Sequence, residues 1–274
     1  MKINYENMDV SLQIKLIMAQ KILEALIEND PVDHLVVEDF LPSYFANELS
    51  AEFLAYDSQA WHTYNNTLED KKTCNQWNLF GPNTYQYFGA ICSEDVCAAI
   101  SQKFGIDIES DIGLHGGGQH IHASMGNLNP HLDYSIYPKT GKERRINAIY
   151  YLTDNHAESD GGHFGLWNNK SANAPGELRR EYAPTFNRLI LFNTSQNSWH
   201  GLSRKYEPET GRFRKSLASY YVSNPRSEAL AHTRALFAPR EEQKQDERVQ
   251  NLIKLRSSEQ TFNEVYTEKS ESKG

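Results

Sequence analysis

Cysteine is scarce in this chain of 274 residues. Cys74, Cys92 and Cys97 are an odd number and form no Cys-x-x-Cys pair. No disulfide framework is therefore expected, and a reducing, cytoplasmic setting is. Positive charge is also in short supply. The chain has 28 basic against 36 acidic residues, a formal net charge of −8 and a pI of about 5.7. That balance gives no general attraction to nucleic acid or anionic lipid. No apolar run approaches the roughly 20 residues that span a bilayer. The stretch Met1–Asp9 has no basic flank leading into a signal core, so a soluble protein without a membrane partner is expected. Signatures of other chemistries are missing too. The sequence holds no Walker A loop, no Gly-x-Gly-x-x-Gly after a strand and no Gly-x-Ser-x-Gly elbow, and Gly116-Gly117-Gly118 is too short to replace them.

What is present suffices for a core. The chain is 39% hydrophobic and 23% charged, which fits one large domain or a core domain with additions. No internal repeat or long low-complexity segment interrupts it. Leu12, Leu16, Leu23, Leu26 and Ile27 recur at helical spacing and predict an amphipathic helix over 11–27. A short strand is expected at Leu35-Val36-Val37. Pro42-Ser43 opens a second helix, with Phe45, Leu49 and Phe53 spaced by four. Ser93-Glu94-Asp95 predicts a capped, acidic helix start, with Val96, Ile100 and Phe104 as its buried stripe. These helices are expected to support a sheet.

Beyond about residue 111 the texture changes to short strands and polar turns. Strands are predicted over 131–137, 145–153, 163–167, 188–193 and 213–222, separated by turn-forming clusters at 154–162 and 168–176. Several short strands without long intervening helices predict an antiparallel sandwich or barrel such as a jelly roll. The expected division is a support region over 1–110 continuous with the core, a core over 111–224 and a charged extension over 225–274. The run EEQKQDER in that extension predicts a helix or a mobile tail.

Within the core, His131-Leu132-Asp133 places two ligand-type side chains two residues apart, and on a strand such residues share a face. His200, 69 residues on, follows the apolar strand Leu189-Ile190-Leu191-Phe192. A fold that sets a second strand beside the first would unite two imidazoles and one carboxylate with open positions, as in non-haem Fe(II) oxygenases. Alone, either element also reads as a strand end or a loop histidine. Downstream, strand alternation puts Arg214, Ser216 and Ala218 on one face. A guanidinium beside two small residues suits a small carboxylate, although Arg212 and Lys215 are nearby cations. His120 and His122 share a strand face and offer a rival metal set, read here as pocket or structural residues. His163 is a weaker candidate, because it precedes the strand that should deliver the distal ligand.

In order and spacing, Gly116-Gly117-Gly118-Gln119-His120, Pro130-His131-Leu132-Asp133-Tyr134, the strand from Arg145 to Leu152, Gly161-Gly162-His163-Phe164, Ser198-Trp199-His200-Gly201 and Arg214-Lys215-Ser216-Leu217-Ala218 resemble the prolyl 4-hydroxylase-like branch of the 2-oxoglutarate/Fe(II) dioxygenases. That resemblance implies a mainly β fold with flanking helices, a double-stranded β-helix or distorted jelly roll. It implies His131, Asp133 and His200 as iron ligands. It also implies that Arg214 and Tyr151 bind the distal carboxylate of 2-oxoglutarate, and it brings His120 near the cosubstrate. O2 is the second cosubstrate and ascorbate a candidate reductant.

The reaction implied is hydroxylation of an unactivated carbon with release of succinate and CO2. The substrate is a peptide or protein, with peptidyl proline the first candidate, or a small metabolite. The insertion at 168–181 departs from simpler relatives and leaves substrate identity open. A non-catalytic metal-containing jelly-roll binding protein and a metal-dependent hydrolase are the competing classes, and neither needs a carboxylate clamp. Oligomeric state is not legible.

Overall fold

The computed structural model describes residues 9–171, 173–194, 198–209, 211–229, 234–258, 260–261 and 265. Its helices are α1 (Val10–Glu24), α2 (Ser43–Ala51), α3 (Pro82–Ile91), α4 (Glu94–Phe104) and α5 (Glu247–Ser257). The first strands are β1 (His34–Val37), β2 (His62–Asn65), β3 (Glu69–Cys74), β4 (Glu109–Ser110), β5 (Gly118–His122), β6 (Asn127–Leu128) and β7 (His131–Leu132). They are followed by β8 (Glu143–Tyr151), β9 (Phe164–Ser171), β10 (Ala174–Tyr182), β11 (Arg188–Asn193), β12 (Trp199–Leu202), β13 (Arg214–Ser223) and β14 (Leu236–Phe237).

Among the described residues these strands form two antiparallel sheets. The larger has nine strands in the order β1-β11-β8-β13-β5-β3-β2, with β4 added to β13 and β6 to β3. The smaller runs β10-β9-β12-β7-β14. Alternation along β8 shows how the layers are built. Ile146, Ala148 and Tyr150 are fully buried against the helices, in a core shared with Phe45, Leu49, Phe88, Ile91, Val96 and Ile100. Asn147, Ile149 and Tyr151 face the other way, into the space between the sheets. There Tyr151, Phe164, Leu166, Ile190 and Phe192 pack together across the two layers. Two curled antiparallel sheets with helices on the outer face of one make the double-stranded β-helix expected from the sequence.

Several local expectations need correction. α1 ends at Glu24, and its buried residues are Ile14, Met18 and Ile22. The expected stripe is the wrong face: Leu12, Leu23, Leu26 and Ile27 are exposed. The segment is apolar on more than one side, so periodicity alone allows two stripes, and packing on α3 and α4 selects one. α2 stops at Ala51, which leaves Phe53 beyond its end. Ser93 stands at the N-cap of α4, but its hydroxyl makes no capping bond. The strand expected over 131–137 is only two residues long. The expected turn at 168–176 is the tip of a long hairpin, β9–β10, whose arms pair from Ser171↔Ala174 to Phe164↔Tyr182.

The ends of the described chain join the sheets. β1 and β3 extend the larger one, and β14 closes the smaller one against β7. α5 covers part of the extension expected after residue 225, while 259, 262–264 and 266–274 lie outside the described residues.

Candidate active site

The short β7 and β12 pair so that His131 and His200 are direct partners, which brings their rings to 4.3 Å between centroids. Asp133 lies just past β7, two residues on from His131, and its carboxylate reaches the same centre while Leu132 packs away from it against Trp167 and Trp199. His131 Nε2 is 3.6 Å from Asp133 Oδ1, and His200 Nε2 is 3.6 Å from Oδ2. One ligand atom from each residue lies within 4.8 Å of the others. His131 Nδ1 donates to the Asn129 carbonyl at 3.0 Å, and His200 Nδ1 to the Ser198 carbonyl at 2.7 Å. A carbonyl only accepts, so both rings carry the proton on Nδ1 and present a bare Nε2 to the centre. Burial first, and then His131, hold His200 down at about 4. Burial opposes the charge of Asp133, yet Arg144, His200 and His131 keep its carboxyl well below the usual range. Two unprotonated imidazole nitrogens and one carboxylate, all buried or nearly so, fit a divalent metal with open coordination positions.

Behind Asp133 stand two residues that the sequence did not flag. Asn147 Nδ2 donates to its Oδ2 at 2.7 Å and Arg144 Nη1 at 3.1 Å. Arg144 also donates to the His115 carbonyl and the Tyr134 hydroxyl, and its guanidinium lies 3.6 Å from the centroid of the Tyr220 ring. Regular alternation from Asn147 would aim Arg145 at the cavity and Arg144 at the helices. A bulge decides otherwise. Tyr221 faces Ile146 while the next residue, Val222, faces Arg144, which leaves Arg145 as the extra residue.

Arg214 opens β13 and is 4% exposed. Its Nε donates to the Gly162 carbonyl at 2.7 Å and its Nη2 to the Tyr151 hydroxyl at 3.4 Å. No carboxylate among the described residues pairs with it, and burial pulls its guanidinium below the usual value. Burial raises the Tyr151 phenol, against the pull of Arg214. Gly162 must be glycine: its φ is +68°, and a Cβ there would meet the Tyr206 ring at 2.9 Å and Arg214 Cδ at 3.1 Å.

The metal-type cluster, Arg144, Asn147, Tyr151 and Arg214 all line one cavity of about 290 Å³. Ser216 and Ala218 line it beside Arg214, as alternation predicts, and so do His120 and His122. Neither His120 nor His122 joins the metal-type cluster. His163 is also outside it, paired with Glu158 at 2.9 Å. Arg212, the neighbouring cation, precedes the strand and pairs with Asp160 at 2.5 Å. The distant walls carry no signal in the sequence. Phe237 of β14 stacks on His131 at 5.1 Å and 21°. From α5, Arg256 reaches Glu69 of β3 in a buried ion pair of 2.5 Å.

Residues 118–222 match the model of the 2OG-Fe(II) oxygenase superfamily. That segment belongs to the superfamily. The oxygenase segment holds Tyr151, Arg214 and the whole cluster of His131, Asp133 and His200. Mouse prolyl 3-hydroxylase OGFOD1 is 25% identical over 187 residues, which is 68% of this chain and 32% of that protein. The chain thus spans about a third of the length of that curated relative. A prolyl hydroxylase from Trichoplax adhaerens, solved with a hypoxia inducible factor peptide fragment, superposes with a TM-score of 0.52 at 16% identity. That match covers 79% of this chain and 94% of the other. A Pseudomonas putida prolyl-4-hydroxylase gives 0.50 at 17% identity, covering 77% and 98%. At these identities the two structures establish the shared oxygenase fold. No helix among the described residues is long and apolar enough to cross a membrane.

Proposed function

We propose that this protein is a 2-oxoglutarate- and Fe(II)-dependent dioxygenase that hydroxylates an unactivated carbon, with peptidyl proline as the leading substrate. His131, Asp133 and His200 would hold the metal. Arg214 and Tyr151 would receive the distal carboxylate of 2-oxoglutarate. The observation that carries this reading is Arg214, a buried cation without a carboxylate partner among the described residues, on the wall shared with the metal-type cluster. A structural metal site or a hydrolase has no use for such a clamp. When bound, Fe(II) with 2-oxoglutarate and O2 supplies the oxidising chemistry, with succinate and CO2 as products. The protein contributes geometry. Asn147 and Arg144 fix the Asp133 carboxylate, the Nδ1 bonds fix both rings, and Phe237 shields His131 from water.

The proline preference draws on the mouse relative and on the fold shared with prolyl hydroxylases. A small metabolite is the second reading, favoured by the modest cavity of about 290 Å³. Three free cysteines support a reducing, cytoplasmic setting, with ascorbate as the accessory reductant. The net charge of −8 speaks against nucleic-acid and anionic-membrane partners. Anaerobic addition of 2-oxoglutarate to the Fe(II)-loaded protein tests the reading. A weak visible charge-transfer band, followed by succinate release on admitting O2, is expected. Absence of both would leave the binding-protein or hydrolase alternatives.

A further inference from the structure

The wall of the cavity is basic, although the chain as a whole is acidic. Among the described residues it carries five cationic side chains, Lys71, Arg144, Arg214, Arg234 and Arg256, against two carboxylates, Glu69 and Asp133. Fe(II) and doubly charged 2-oxoglutarate would cancel each other, so the loaded site would keep this positive excess. Both carboxylates are already engaged, Asp133 by Arg144 at 3.1 Å and Glu69 by Arg256 at 2.5 Å.

The excess is placed by strand register. Arg214 of β13 pairs with His122 of β5. On the other side of β5, Thr73 pairs with His120 and Lys72 with Ile121, so the same register sets Lys71 against His122. Directly opposed residues share a face, which makes Arg214, His122 and Lys71 one row across three adjacent strands. Lys71 is then two strand spacings, roughly 10 Å, from the strand of Arg214. Its nearest carboxylate oxygen, Glu69 Oε2, is 3.9 Å away, at the limit of an ion pair. Between the two cations, His122 is 2% exposed and both of its ring nitrogens lack a hydrogen-bond partner. A buried, neutral imidazole with no partner marks an unfilled polar position.

We infer that Lys71 and His122 form a subsite for an anionic group of the substrate to be hydroxylated, separate from the carboxylate clamp at Arg214. This rests on the oxygenase reading and narrows its substrate class to acidic molecules. The anion is either a carboxylate side chain flanking the target residue of a peptide or the carboxylate or phosphate of a small molecule.

The test measures binding to anaerobic protein loaded with Fe(II) and 2-oxoglutarate. One arm uses proline-centred peptides whose flanks are Glu/Asp, Gln/Asn or Lys. The other uses a panel of small carboxylates and phosphate monoesters. Wild type should bind anionic members of at least one arm tenfold or more tighter than their neutral isosteres. Lys71→Glu should abolish or invert that preference, and Lys71→Arg should retain it, with each variant held at saturating 2-oxoglutarate. A response confined to one arm identifies the source of the anion. No preference in either arm, or a preference unchanged in Lys71→Glu, overturns the subsite even if 2-oxoglutarate binds normally. If Fe(II)-loaded wild type fails to bind 2-oxoglutarate, the oxygenase reading has failed first and the subsite falls with it.

Discussion

Replacing Arg214 with alanine should separate the two halves of the site, because 2-oxoglutarate affinity falls while Fe(II) affinity stays nearly unchanged. Arg214 is 4% exposed, its guanidinium is fixed by Gly162 and Tyr151, and no hydrogen bond or ion pair links it to the three metal-type ligands. A carboxylate meeting it would form charge-assisted hydrogen bonds, each on the order of 1.5–3 kcal/mol. Losing one such bond corresponds to roughly tenfold to a hundredfold in Kd, so at least a tenfold loss is expected. Arg214→Lys should recover only part of it, because an ammonium lacks the planar fork. Tyr151→Phe should cost less, about 0.5–1.5 kcal/mol for one neutral donor. Gly162→Ala should reproduce the Arg214 lesion, since the added Cβ would sit 3.1 Å from Arg214 Cδ in a left-handed backbone. Arg212→Ala is the control: its guanidinium is held by Asp160 and the Asn155 carbonyl, away from the cavity wall. Anaerobic calorimetric titration of 2-oxoglutarate into each Fe(II)-loaded variant reads the outcome. A large loss at Arg212 with none at Arg214 would refute the placement of the clamp.

Three further outcomes are expected. His131→Ala, Asp133→Ala and His200→Ala should each abolish Fe(II)-dependent 2-oxoglutarate turnover with the circular dichroism spectrum retained, whereas His163→Ala should keep metal affinity. Metal titration checks this, and loss at His163 with retention at His200 would reassign the distal ligand. Metal-free protein should lose stability as pH falls through about 6.5 toward 3. Burial first, then Lys71, holds His120 down at about 3. Its neutral form is therefore favoured in the fold, and that contribution is present above the unfolded value of about 6.5 and lost on acidification, by up to a few kcal/mol. Thermal melts across that range measure it, and a flat profile between pH 7 and 4 would contradict it. Arg256→Ala should leave Glu69 charged and buried, costing about 3–5 kcal/mol. Limited proteolysis should then cut within 234–258 faster than in wild type, and unchanged cleavage would show that the pair does not anchor α5.

Patterns local to the chain were legible in the sequence. The strands β8, β11 and β13, the helix start at Pro42-Ser43, and the ordered set His131, Asp133, His200 and Arg214 are written in residue types and their order along the chain, while Tyr151 entered through the family resemblance. Alternation correctly put Arg214, Ser216 and Ala218 on one wall, because that rule needs only the backbone of a single strand. Tertiary structure decided whatever required a second segment or a broken register. The buried side of α1 depended on α3 and α4, since a helix apolar on several sides has no preferred face until it packs. The bulge after Arg144 reversed which of two adjacent arginines reaches Asp133, and nothing in Arg144-Arg145 distinguishes them before β13 pairs alongside. Lys71, Phe237 and Arg256 enter the cavity from strands and a helix at opposite ends of the chain. Their roles come from proximity created by sheet pairing, and sequence spacing carries no trace of it.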